Sequence, residues 1–207
     1  MSEYEHEPIR GLPGVLPAGE TLLWQGSPEW KLLAVTAVHV RLIAAYFVVL
    51  ALSGVLGGAS AGGVAATLGV GIVALALTTA FAYASARSTV YTLTSKRVVL
   101  RFGVALPKCI NLPLSQIATA RVQQLGAGRG DIALALTGSN RIGYLRLWPY
   151  ARAWRIGAPE PMLRSLPDVD AVAALLAATL LDAVPGGRRV AAPPEANPGF
   201  APDAAAA

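Results

Sequence analysis

The segment that decides the fold lies between Arg41 and Arg87 and reads RLIAAYFVVLALSGVLGGASAGGVAATLGVGIVALALTTAFAYASAR. Its 45 internal residues carry no formal charge. A helix that crosses a bilayer needs only about 20 apolar residues, so this run is long enough for two helices. Because the Gly-rich stretch 57–63 interrupts it, the sequence predicts a transmembrane hairpin with helices at about 41–57 and 64–85.

The composition of the whole chain agrees with a membrane protein. Of its 207 residues, 54% are hydrophobic and 14% are charged, and the mean hydropathy is +0.51. Outside the hairpin and the termini about one hundred residues remain, which is enough for one small domain with its own core. The single cysteine, Cys109, has no intramolecular disulfide partner, which fits the reducing cytoplasmic side of a membrane.

Basic residues predict the orientation of the hairpin. They stand on both sides of it and are missing from its loop: Lys31, His39 and Arg41 precede the hairpin, and Arg87, Lys96 and Arg97 follow it. By the positive-inside rule, both termini are expected in the cytoplasm, so the chain is predicted to be a multi-pass membrane protein.

The residues before the hairpin predict a short helix at the membrane surface. Ser27-Pro28-Glu29 offers an N-cap, a proline at the first helical position and an acid in the first turn. Arg41 is expected at the lipid headgroups, because an arginine at mid-bilayer costs roughly 2.5 kcal/mol or more.

Small residues recur at intervals of four within the hairpin, and such spacing lets helix backbones approach closely. These residues are Gly54 and Gly58 in the first helix and Ala76, Ala80 and Ala84 in the second. We expect them to pack the two helices against each other; pairing with a helix of another protein is the alternative.

After Ser88 the pattern changes to short β-type runs separated by turn residues. The predicted strands are Thr89–Thr94, Arg97–Phe102, Lys108–Leu112, Ile117–Leu125, Asp131–Thr137 and Ile142–Trp148. A helix from Asp168 to about Ala183 has one apolar stripe and is expected to dock on the strands, with a third membrane segment as the alternative. The predicted class is therefore an α+β membrane protein, with a leader (1–26), an interfacial helix and hairpin (27–87), a cytoplasmic antiparallel β-sandwich with a capping helix (88–183) and a disordered tail (184–207).

The formal charge of +5 raises the question of an anionic partner. Residues 88–183 contain 11 Lys or Arg and five acids, but no basic surface interleaved with aromatic residues, so nucleic acid is not an expected partner. An anionic lipid surface would attract these cations; an ordinary solvated face of the sandwich explains them equally well.

No catalytic constellation is visible in the sequence, and we expect no enzymatic activity, cofactor or metal. The string Gly126–Asp131 precedes a strand rather than a helix, so it predicts a β-turn and not a phosphate-binding loop. The acids Asp131, Glu160, Asp168 and Asp170 are interpreted as turn or cap residues.

Several motifs resemble the membrane-anchored bacterial PH-domain proteins. They are the string from Gly19 to Pro28 with Trp24-Gln25-Gly26, the hairpin, and Tyr91-x-Leu93-Thr94-x-x-Arg97. Within that group, Glu5–Pro17, Gly128-x-Gly130-Asp131-Ile132, Leu147–Tyr150, Pro159–Arg164 and Leu166–Val169 are similar to the PuhB family of photosynthetic-complex assembly proteins from purple bacteria.

The resemblance implies a PH-like sandwich, a place in the inner (intracytoplasmic) membrane of a bacterium, and an assembly role without catalysis. The expected partners are membrane subunits of the photosynthetic reaction centre or core antenna, and a homo-oligomer is a further expectation. A membrane-anchored module that binds anionic lipid or maintains the envelope is the alternative function. The motif positions that could contact a partner are Trp24, Gly26, Pro28, Arg41, Arg97, Asp131 and Trp148.

His39 is the histidine nearest the membrane, and a histidine on a transmembrane helix can ligate a bacteriochlorophyll. Antenna polypeptides place an alanine four residues before that ligand, whereas Val35 occupies this position here. We therefore expect His39 to contact lipid headgroups.

Overall fold

The computed structural model describes residues 11, 12, 14–137, 143–152, 157 and 159–183. Residues 1–10 of the predicted leader and the predicted tail from 184 to 207 lie outside the described residues. Three helices, α1 (Trp30–Thr36), α2 (Val40–Leu56) and α3 (Ala61–Ser88), follow the first strand. The α2–α3 pair occupies the predicted hairpin, with α3 longer than expected at both ends.

Helix α1 confirms a short helix before the hairpin, but the predicted cap is wrong. The helix begins at Trp30, and its N-cap is Glu29 rather than Ser27. Glu29 keeps an extended backbone because its amide donates to Ser165 O at 2.8 Å, outside the helix. Between α1 and α2 the chain bends by 52° at His39, which has φ 58°.

The apolar helices differ in how well they fit a membrane span. Among the described residues, α3 is long and apolar enough to cross a bilayer by itself, and only 6% of its most apolar window is buried within the protein. Helices α1 and α2 meet the same criterion only when they are taken together as one bent span. Two separate spans therefore stay a prediction.

The hairpin packs only in part through the residues that the sequence indicated: a Cβ added to Gly54 would lie 3.8 Å from the Val64 side chain of α3. Gly71 of α3 faces the Phe47 side chain, and a Cβ added to Gly71 would lie 2.8 Å from the Phe47 ring. Ala51 is buried, whereas Ala76 and Ala80 are exposed. Ala76 and Ala80, which were expected to lie between the two helices, therefore face outward.

The strands form two antiparallel sheets. The first has the order β1-β2-β3-β4, with β1 at Leu22–Gly26, β2 at Val90–Thr94, β3 at Arg97–Phe102 and β4 at Lys108–Pro113. Strand β1 was not predicted. It pairs with β2, so residues assigned to the leader complete this sheet, and α1–α3 form the connection between two neighbouring strands.

The second sheet has the order β5-β6-β7, with β5 at Ile117–Gly126, β6 at Arg129–Leu136 and β7 at Met162–Leu166. Ala127 and Gly128 form the predicted turn between β5 and β6, with φ of 53° and 71°. The predicted strand Ile142–Trp148 is wrong where it is described: Tyr144–Leu147 form the single turn α4. Strand β6 pairs with β5 on one edge and with β7 on the other, so β7 takes the place beside β6 that the predicted strand would have filled.

Helix α5 (Val169–Ala183) confirms the predicted C-terminal helix and its docking on the sandwich. Its stripe of Val169, Val172, Leu176 and Leu180 is buried among side chains from both sheets. Leu33 of α1 and Ala86 of α3 enter the same core. The base of the hairpin is therefore built into the domain rather than attached by a linker.

Candidate functional site

The helices meet the sheets at a buried cluster of hydroxyl groups. Thr89 Oγ1 donates to Ser85 O at 2.7 Å, and the Tyr150 hydroxyl lies 2.6 Å from Thr89 Oγ1 and donates to Ser85 O at 3.3 Å. Burial raises the pKa of Tyr150 to about 12, which keeps this donor protonated. The cluster fixes the last turn of α3 to the segment that follows α4.

A second buried network ties α1 to β7. Ser165 N donates to Asp131 Oδ1 at 2.7 Å, and Ser165 O accepts from Glu29 N. The Nε atom of Arg164 lies 3.7 Å from Asp131 Oδ2. Ser165 has φ 56°, an unfavourable backbone conformation that these bonds hold in place. Burial raises the pKa of Asp131, against the opposing effects of Ser165 N and Arg164.

The interpretation of Asp131 and Glu160 as turn or cap residues is therefore wrong. Both are buried. Glu160 is ion-paired to Arg152 at 2.8 Å and lies 4.0 Å from Arg121. A buried carboxylate requires such partners because its desolvation is otherwise unfavourable. Ser165 lies 34 residues from Asp131, whereas Arg152 lies eight residues from Glu160.

Arg97 clamps the N-terminal segment to the turn between β2 and β3. Its Nε and Nη2 atoms each donate to the Glu20 carboxylate at 2.8 Å, and Thr94 Oγ1 donates to the same carboxylate at 2.6 Å. The hydrogen bonds from Arg97 are the largest influence that lowers the pKa of Glu20. This motif position therefore has a structural role inside the domain.

The Trp-Gln-Gly-x-Pro string is packed on the sheet. Trp24 is partly buried against the core, and Pro28 is buried. A Cβ added to Gly26 would lie 2.6 Å from the Cη2 atom of Trp24, so the glycine makes room for the indole ring. These three motif positions lie together. Trp24 and Pro28 pack against the rest of the domain, which leaves little of their side chains exposed to a partner.

Aromatic side chains surround the base of α3. The Trp30 and Tyr83 rings meet edge-on with centroids 5.8 Å apart, and Trp148 stacks on Phe81 at 5.6 Å with planes 18° apart. Trp148 is also 48% exposed. We call these four residues, Trp30, Phe81, Tyr83 and Trp148, the aromatic collar.

Two cations lie on the aromatic collar. Lys31 Nζ is 5.8 Å from the Trp30 ring centroid, and the Arg87 guanidinium is 5.8 Å from the Tyr83 centroid. Tryptophan, tyrosine and long basic side chains together are typical of a membrane–water interface. Arg41 is exposed in the first turn of α2 and is not among the collar residues, and its contact with headgroups stays a prediction.

The predicted positions thus divide into two groups. Trp24, Gly26, Pro28, Arg97 and Asp131 organise the domain, whereas Trp148 and Arg41 are exposed near the helices. Tyr150 and Ser165 were missed as candidates. A hydroxyl network between distant segments leaves no periodic signal, although Tyr150 lies inside one of the quoted motifs.

A small apolar cavity lies between the first sheet and α5, lined by Trp24, Tyr91, Leu93, Leu163, Val172 and Leu176 among others. Its volume of about 10 Å³ is far below the range of about 300–1,000 Å³ for small-molecule sites. Among the described residues, no group of three or more His, Cys, Asp or Glu side chains could hold a metal ion.

Comparisons with known proteins agree with this architecture. Residues 33–180 match the family model described as the bacterial PH domain, and this range includes the helical hairpin. A protein of Rhodobacter capsulatus described as an uncharacterized 23.7 kDa protein in the puhA 5′ region is 34% identical over 183 residues, covering 84% of this chain and 86% of that protein. No solved structure matches. Two antiparallel sheets closed by a C-terminal helix are consistent with a PH-like domain, and the chain belongs to the bacterial PH domain family.

Proposed function

We propose that this protein is an assembly factor for the photosynthetic reaction centre and core light-harvesting complex of a purple bacterium. Its relative is described by its place in the puhA region, which belongs to a photosynthesis gene cluster. We further propose that it acts without catalysis or a resident cofactor, by binding membrane subunits of these complexes through the α2–α3 hairpin.

The observation that carries this proposal is the outward face of α3. At 100° per residue, Gly69, Ala76 and Ala80 lie on the side of the helix opposite Gly71. All three are exposed, and a Cβ added to Gly69 would meet nothing within 4 Å. Helix association in lipid depends on close packing at small residues, so this face suits another transmembrane helix.

The proposed orientation places α3 in the inner membrane and the PH-like domain at its cytoplasmic surface, where membrane subunits are inserted. With the hairpin in the inner membrane and both termini in the cytoplasm, α3 would meet a client helix in the bilayer. The PH-like domain would then hold the cytoplasmic part of the same client. Arg87, exposed at the end of α3, and the cations of the domain support this orientation through the positive-inside rule.

The test replaces both small residues on the outward face, in the variant Ala76→Leu/Ala80→Leu, and compares it with a gene deletion. Both strains should contain less reaction centre and core antenna, measured from membrane absorption, with the spectrum of the remaining complex unchanged. The matched control is Val70→Leu, which enlarges an exposed apolar side chain at the flank of this face.

Immunoblots of the membranes must show equal amounts of the variants, so that loss of the factor itself is excluded. Normal complex in the deletion strain at normal speed would refute the assembly role. Normal complex in the double variant alone would refute the outward face of α3 as the binding surface.

A second candidate function, a membrane-anchored module that binds anionic lipid or maintains the envelope, is favoured by the cations on the aromatic collar. The same deletion strain discriminates between the two functions. Detergent sensitivity during growth without photosynthesis would support the envelope role, whereas a defect limited to the photosynthetic complexes would support assembly.

A further inference from the structure

Two segments of the domain, the β3–β4 loop and helix α4, lie beside the end of α3. Strand β2 starts directly after α3 and runs away from it, and β3 returns antiparallel, with Val90 opposite Arg101. The loop between β3 and β4, residues 103–107, therefore lies at the helix end of the sheet. The ring of Phe102 is 5.1 Å from that of Tyr150, whose hydroxyl bonds to Thr89 at the same junction.

The β3–β4 loop exposes apolar side chains at its tip. Val104 is 50% exposed and Leu106 is 76% exposed, although Phe102, just before them, is buried. Lys108, immediately after the loop, is exposed as well. Gly103 has φ 124°, and a Cβ there would collide with the Leu106 carbonyl, so the loop has a tight, fixed shape.

Helix α4 presents a similar set of residues on another segment at this end. Leu145 is 86% exposed, Arg146 is exposed, and Trp148 is half-exposed while it stacks on Phe81. A surface that gathers several large exposed apolar side chains often marks a site of protein or membrane interaction. The combination is typical of a protein segment at a membrane interface.

The length of α3 gives the depth of these segments. Its 28 residues span about 42 Å, whereas the hydrocarbon core of a bilayer is about 30 Å thick. With the outer end of α3 at the far boundary of the hydrocarbon, about eight residues remain outside it. Phe81 lies seven residues before Ser88, the last residue of α3, so Trp148 stacks close to the near boundary.

We propose that the β3–β4 loop and α4 form a lipid-contacting surface of the domain. The tips Leu106 and Leu145 enter the interfacial region of the bilayer that holds the hairpin, and Lys108 and Arg146 contact anionic headgroups. This inference rests on the proposed membrane insertion of the hairpin. Continuity with the apolar surface of α3, together with the flanking cations, makes lipid the occupant rather than a protein.

The experiment uses the full chain with Cys109→Ser and one new cysteine, labelled with a fluorophore and reconstituted into vesicles with one quarter anionic lipid. The labelled positions are Leu77→Cys on α3, Leu106→Cys and Leu145→Cys at the two tips, and Lys96→Cys in the turn at the opposite end of β2. Lipids that carry a quencher near the top of the acyl chain report contact with the interface.

We expect quenching at Leu106→Cys and Leu145→Cys to be several-fold stronger than at Lys96→Cys. It should fall when Lys108→Glu or Arg146→Glu is added, or when the vesicles contain only neutral lipid. Quenching at Leu77→Cys but not at the two tips would overturn this inference and leave the inserted hairpin intact. Lack of quenching at Leu77→Cys would refute the insertion itself, and this inference with it.

Discussion

Glu20 is a buried carboxylate whose charged form is held by Arg97 and Thr94. Because its pKa in the folded protein lies below the ordinary value of 4.5, the clamp stabilises the fold above that pH. The stabilisation is lost as the pH falls through the lowered pKa. This residue should therefore contribute to the acid sensitivity of the protein.

We expect Glu20→Gln to lower the free energy of unfolding at neutral pH by about 1.5–3 kcal/mol, the range for a hydrogen bond to a charged group. The difference from the wild type should shrink towards low pH, where Glu20 is protonated in both states. Thermal unfolding in detergent at several pH values measures this. Asp182→Asn, which changes an exposed acid of α5, is the control, and an equal loss at every pH would contradict the argument.

Gly26 is required by its neighbour rather than by its own backbone conformation. A Cβ would lie 2.6 Å from the Trp24 ring, so Gly26→Ala should displace the indole from the core and destabilise the protein by about 1–3 kcal/mol. Gly143→Ala is the matched control, since nothing lies within 4 Å of a Cβ there. Unfolding temperatures compare the two, and a smaller ring side chain in Trp24→Phe should reduce the effect of Gly26→Ala.

At the scale of elements, the hairpin depends on the close approach of α2 and α3 at Gly71. A Cβ there would meet the Phe47 side chain at 2.8–2.9 Å, whereas one at Gly69 would face open space. Gly71→Ala should therefore push the two helices apart, and Gly69→Ala should not. Spin labels at Leu50 and Leu68, both exposed, report the distance between the helices. Equal distances in the two variants would rule out Gly71 as the packing contact.

The elements predicted from the sequence are those with a strong local pattern. Strands β2, β3, β4, β5 and β6 lie within a few residues of their predictions because turn residues delimit them, and α5 shows a clear apolar stripe. Strands β1 and β7 were missed. Strand β1 exposes the adjacent Leu22 and Leu23, so its sequence does not alternate between apolar and polar residues. Its partner β2 also lies beyond three helices in the chain, so no hairpin turn marks the pair.

The candidate site was predicted in part for the same reason. The motifs identified Arg97 and Asp131, but their partners Glu20 and Ser165 come from segments 77 and 34 residues away. Trp148 was predicted as a contact position, and this stays a prediction. The stack of Trp148 on Phe81 requires α4 to lie beside α3. The sequence did not indicate this contact, because the apolar residues around Trp148 were predicted to form a strand.

At the scale of the whole molecule, the helices replace the loop between two paired strands. β1 and β2 lie side by side, and the chain leaves the sheet through α1 and returns through α3. Leu33 and Ala86 enter the common core, and Glu29 N bonds to Ser165 O. The helices and the first sheet are therefore parts of one packed unit.

This architecture makes the orientation of the whole molecule testable with two exposed positions. Ser60 caps the start of α3 in the hairpin loop, and Lys96 lies in the turn at the far end of β2. In a Cys109→Ser background, an impermeant maleimide added to intact spheroplasts should label Ser60→Cys and not Lys96→Cys. Lys96→Cys should react only after permeabilisation, because the positive-inside rule predicts that both ends of the hairpin, which positive residues flank, lie in the cytoplasm. Labelling of Lys96→Cys in intact spheroplasts would place the domain on the opposite side, and would remove the basis for a role at the cytoplasmic surface.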